Sequence, residues 1–85
     1  MFSSIKDLYQ LQSKAKELQK KMSTVEIETE SHGVKVKMNG NQEVLNLTLN
    51  PQLDIESQQK YAAEAFNEAL KKVQHLMAEQ MMTMN

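Results

Sequence analysis

The hydrophobic period of this chain changes twice, and those changes leave few folds open to it. Up to about Ser23, the residues Leu8, Leu11, Ala15, Leu18 and Met22 recur at spacings of three and four, the interval of one helix face. Gln, Lys and Glu fill the gaps, with no Gly or Pro between. The segment from about Ser4 to Ser23 therefore reads as an amphipathic helix, with Ser3 or Ser4 as its cap and Asp7 in its first turn. From Val25 the period drops to two. Val25, Ile27 and Thr29 alternate with three glutamates, Val34, Val36 and Met38 alternate with Lys35 and Lys37, and Leu45, Leu47 and Leu49 alternate with polar residues. Gly33 and Gly40 stand at the two joints, and Asn50-Pro51 ends the third strand because proline brings no N–H to a ladder. Helical spacing then returns. Asp54 or Ser57 caps a second helix whose buried face is expected to comprise Ala62, Ala65, Phe66, Ala69, Val73 and Leu76 or Met77, with Phe66 supplying most of the bulk.

The expectation is one α+β domain over residues 1–85: a helix, a three-stranded antiparallel meander and a second helix, with residues 80–85 as a fraying tail. Parity constrains the second hairpin. A four-residue loop from Asn39 to Gln42 sets Val36 opposite Leu45 and Val34 opposite Leu47, apolar against apolar. A three-residue loop would turn Leu45 to the wrong side. A two-residue Asn39-Gly40 turn keeps parity but sets apolar against polar. In the first hairpin Glu26 and Glu28 are expected to neighbour Lys35 and Lys37, which takes those lysines away from any binding patch.

At 85 residues, with 40% hydrophobic side chains, the chain has a thin core. Ordering costs roughly 1.5 kcal/mol per residue, so one copy has little stability to spare. A homodimer follows as an expectation. The seam Leu8, Leu11, Ala15, Leu18 and Met22 runs for about three heptads, and with Phe66 it is a candidate for either the dimer interface or the core.

The chain has no cysteine, which removes disulfides, thiolate ligands and a cysteine nucleophile. His32 and His75 have no partners at metal-ligand spacing, and neither glycine belongs to a phosphate-cradling loop. No catalytic residue, metal, cofactor or small-molecule substrate is therefore expected. Met1 to Asp7 contain no signal-like apolar run, and no segment is apolar enough to span a membrane, so the expected location is the cytoplasm.

The ten basic residues are all lysine, against eleven acidic ones, for a formal charge of −1. Their positions carry more meaning than their number. Lys14, Lys16, Lys20 and Lys21 crowd the end of the first helix, and Lys71 and Lys72 lie midway along the second. Lysine near a helix C-terminus also complements the dipole. The other reading is that these six residues, doubled in a dimer, form positive ridges that meet the phosphates of duplex DNA. Without arginine, the guanidinium contact to guanine is missing, so backbone and shape should count for more than bases.

Several phrases resemble the YbaB/EbfC family of bacterial nucleoid-associated proteins. They are Gln10-Leu11-Gln12 through Glu17-Leu18-Gln19-Lys20-Lys21-Met22, His32-Gly33-Val34-Lys35-Val36-Lys37-Met38-Asn39-Gly40, Glu43-Val44-Leu45 through Leu49-Asn50-Pro51, and Ala62-Ala63-Glu64-Ala65-Phe66-Asn67-Glu68-Ala69 followed by Lys71-Lys72. The resemblance implies a homodimer with projecting helices, DNA binding of low sequence preference, and a cytoplasmic, nucleoid-associated location. Where relatives often carry arginine after the alanine-rich segment, this chain keeps charge but loses the planar fork. The competing expectation is a non-catalytic adaptor that binds a protein partner through its helices.

Overall fold

The switches of period become element boundaries in a computed structural model, which describes residues 5–83. The chain forms α1 (Ile5–Ser23), β1 (Glu26–Ser31), β2 (Val34–Asn39), β3 (Val44–Thr48) and α2 (Ile55–Thr83). One antiparallel sheet has the order β1-β2-β3, so the α+β helix–meander–helix is the observed architecture. The expected caps Ser3 and Ser4 lie outside the described residues, as do Met84 and Asn85. The segment expected to fray from residue 80 is helical through Thr83.

The first hairpin closes through His32 and Gly33, both at positive φ (52° and 86°), the backbone of a two-residue turn that follows the strand twist. Its register sets Glu28 opposite Lys37 and Glu30 opposite Lys35. The acidic and basic rows are neighbours as expected, two residues out of the anticipated step. The ion pair itself is diagonal, Lys37 Nζ to Glu26 Oε1 at 3.5 Å.

The second hairpin corrects the loop length. Asn39 N–H donates to the Glu43 carbonyl and Gln42 N–H to the Asn39 carbonyl, so the loop is the three residues Gly40, Asn41 and Gln42, with Gln42 at φ 64°. Leu45 does not flip as simple parity requires, because the ladder shifts register between Lys37 and Met38. Met38 pairs with Val44, and Lys37 with Asn46. This bulge at Leu45 absorbs one residue and sets Leu47, not Leu45, opposite Val36.

α2 packs across β1 and β2. Val36, Met38, Ala65, Ala69 and Val73 form the central cluster, with Ile27 and Leu70 against it, and full burial of each large aliphatic contributes about 1.5–3 kcal/mol. Phe66 does not supply the bulk; it is 38% exposed on the flank of α2, and the largest fully buried side chains are Met22, Met38, Val34, Val36 and Val73. The reason lies in Ala65 and Ala69, whose small side chains bring the helix close to the sheet and leave no space there for a ring. Buried Thr29 fixes that approach by donating its hydroxyl to the Ala65 carbonyl.

Asp54 caps α2, its Oδ1 accepting from Ser57 N–H at 2.7 Å. Hydrogen bonds from the Ser57 side chain and backbone hold its carboxyl below the usual carboxylate range. Because the folded value is the lower one, the cap is complete above the unfolded carboxylate range and is lost as pH falls through the lowered value.

Candidate nucleic-acid interface

The element that carries the lysines is anchored at its last turn. Gly40 N–H donates to the Met22 carbonyl at 2.9 Å, and Asn41 Nδ2 donates to the Gln19 carbonyl at 3.0 Å. The β2–β3 turn thus satisfies carbonyls that every helix leaves open at its C-terminus. Buried Asn39 shapes this socket: its Oδ1 accepts from the N–H groups of Asn41 and Glu43, and its Nδ2 donates to Glu43 Oε1. A Cβ at Gly40 would lie 2.5 Å from the Met22 carbonyl oxygen, so this position admits only glycine without displacing α1. The rest of α1 makes no comparably extensive contact with another element, and the molecule measures 58 × 18 × 17 Å.

The seam therefore divides. Met22 is fully buried and Leu18 half-buried, whereas Leu8, Leu11 and Ala15 are exposed. Leu11, Lys14, Ala15 and Leu18 share a shallow groove with Met81 from the end of α2.

Lys14, Lys16, Lys20 and Lys21 are all exposed on this arm. Lys16 and Lys20 stand four residues apart in one row; Lys14 and Lys21, seven apart, form a second row nearer the α2 side. None of the four makes an ion pair among the described residues. Within Ile5–Ser23 five lysines face two acids, Asp7 and Glu17, for a net charge of +3. With −1 for the whole chain, the remainder carries −4.

Lys71 and Lys72 are not brought into this group. They lie on α2 about 13 Å, by helical rise, before the turn that meets α1. Lys72 Nζ is 3.7 Å from Glu68 Oε1. Lys35 and Lys37 face the glutamates of β1.

Charge counting passes over three uncharged side chains on the arm. Tyr9, Gln12 and Ser13 line a small depression with Lys16, and Tyr9 is 73% exposed. Tyr9 stands three and four residues before Gln12 and Ser13, which stand four and three before Lys16, and that spacing is the signal that places all four on one face.

One further polar cluster joins the first hairpin to α2. Ser31 Oγ donates to Glu64 Oε2 at 2.9 Å, so at 3.2 Å from His32 Nδ1 it accepts, which puts the ring proton on Nδ1. The His32 ring stacks on Tyr61 with centroids 3.8 Å apart. A serine whose proton goes to a carboxylate and whose lone pair meets an N–H is a clamp, not a base-activated nucleophile. Among the described residues no three metal-ligating side chains converge, and no helix is long and apolar enough to cross a membrane.

Fold and site define a small α+β domain with a basic helical arm. The YbaB/EbfC DNA-binding family model matches residues 1–85, and the chain belongs to that family. Its fold is similar to that of the uncharacterized protein HP0035 from Helicobacter pylori, with a TM-score of 0.79 and 24% identity over 92% of this chain and 98% of that one. None of the curated proteins is a significant match.

Proposed function

We propose that this chain is a nucleoid-associated protein that binds duplex DNA as a homodimer, with low sequence preference, through lysine–phosphate contacts. The observation that carries the reading is the partition of charge. A protein of net −1 concentrates +3 on one projecting helix, and a local field of that sign draws a polyanion even when the whole molecule is acidic. Membership in a DNA-binding family supports the same ligand. Lys14, Lys16, Lys20 and Lys21 make the principal contacts, and Lys71 and Lys72 a secondary one. The cellular location that follows is the cytoplasm, at the nucleoid.

The dimer reading rests on a face with no cover in one copy. α2 packs on β1 and β2, and Leu45, Leu47 and Leu49 on β3 are 49%, 48% and 53% exposed. Leu47 and Leu49 line a depression of about 320 Å³ with Ile55, Gln58, Gln59 and Ala62 of α2. A contiguous apolar surface of this kind marks an association site. The flank of a partner's α2, with its Phe66, supplies a matching apolar surface in a two-fold arrangement.

The test is titration of duplexes of unrelated sequence at several salt concentrations. Affinity should fall steeply with salt and hardly change between sequences; no binding at low salt ends the proposal. The adaptor reading draws on exposed Leu8 and Leu11. It predicts one stoichiometric protein partner whose recovery is unchanged by nuclease.

A further inference from the structure

α1 has two long faces, and only one of them has apolar business with the rest of the fold. The face of Leu11, Ala15 and Leu18 meets the end of α2. The opposite ridge is Tyr9, Gln12, Ser13, Lys16 and Lys20, at helical spacings of three and four. Every one of these residues is exposed. The ridge itself holds no carboxylate: Asp7 falls on another side of the helix, and Glu17, four residues from Ser13 and three from Lys20, borders it.

An anion-binding face that served phosphate alone would need nothing but cations. This one puts an amide, a hydroxyl and a phenol next to the lysines. A helix about 28 Å long and unencumbered along this side fits a groove about 12 Å wide. Gln12 is four residues from Lys16 and eight from Lys20, so the amide and the two amines lie along one row of the helix. A glutamine amide matches adenine, donating to N7 and accepting from the N6 amino group.

We propose that this ridge is the surface α1 lays in the major groove, with Lys16, Lys20 and the Tyr9 hydroxyl on phosphates and Gln12 on an adenine edge. The inference rests on the DNA-binding reading above and deepens it. It agrees with low sequence preference, because nearly every duplex offers an adenine.

The experiment compares a duplex with the same duplex in which every adenine is 7-deazaadenine, which lacks the N7 acceptor in the major groove and leaves the minor groove unchanged. The full chain should bind the substituted duplex roughly tenfold more weakly. Gln12→Ala should bind both alike, with its salt dependence unaltered. Position 12 is exposed and alanine favours helix, so the variant keeps the fold. Equal binding of the two duplexes by the unaltered protein overturns the proposal and leaves DNA binding intact. A discrimination that survives in Gln12→Ala also overturns it, because another group is then reading N7. Failure to bind either duplex at low salt removes the DNA-binding reading itself, and this inference with it.

Discussion

Changing Lys14, Lys16, Lys20 and Lys21 together to glutamine should leave a folded protein that has lost most of its affinity for duplex DNA. These side chains are exposed and make no ion pairs among the described residues, so their removal strands no buried partner. Glutamine matches lysine as a helix former, and the loss at the C-terminal dipole from Lys20 and Lys21 is about 0.6–2 kcal/mol for the two together. The electrostatic loss is far larger. If half of the eight amines in a dimer meet phosphates, four counterion-releasing contacts disappear, the salt slope falls by about 3.6 and affinity near 0.1 M salt drops on the order of 10³. Lys71→Gln with Lys72→Gln should cost much less, because Glu68 already shares Lys72 and the rest of the chain is net negative. Anisotropy titrations of both variants, with circular dichroism to check helix content, measure the difference.

The second large effect is expected at Leu47. Leu47→Asp should sediment at the 9.8 kDa of one chain, and the unaltered protein, on the proposed dimer, at twice that. Leu47 is about half exposed in the single copy, so a carboxylate there is tolerated by the protomer. In the dimer it would be buried against apolar surface without a counter-ion. Disruption of a central apolar contact costs about 2–4 kcal/mol. With two copies of the change, association weakens on the order of 10³ or more. DNA affinity should fall with it, since two arms acting together bind better than one.

The elements themselves could be read from periodicity, because burial on a helix and on a strand imposes different intervals and this chain keeps both cleanly. Asp54 is the cap, Gly33 and Gly40 sit in the turns, and the glutamates of β1 neighbour the lysines of β2. The second loop was harder for a physical reason. Counting residues assumes an unbroken ladder, and the bulge at Leu45 breaks it while restoring the leucine face. Gln42 at positive φ gives no sign of itself, because glutamine is not a residue that favours that region. Phe66 misled by size: bulk on an apolar stripe suggests the core, yet the alanines decide how close the helix comes.

The lysines of the proposed site can be listed from sequence, but their grouping cannot. Sequence placed six together as candidates; the fold separates four on a free arm from two on a packed helix. That distinction depends on the socket of Asn39, Gly40 and Asn41, which engages only the last turn of α1. Tyr9, Gln12 and Ser13 carry no charge and so give no signal in the pattern of lysines, and the role proposed for them depends on α1 standing away from the sheet.

On the proposed function the arm, not the sheet, meets DNA. The direct measurement is the set of amide chemical-shift changes in isotope-labelled protein as a short duplex is added. Changes should be concentrated from Tyr9 to Lys21, with smaller ones around Lys71 and Lys72 and none along β1 beyond the general effect of slower tumbling. Changes centred on β1, or on α2 while α1 stays unmoved, would contradict it.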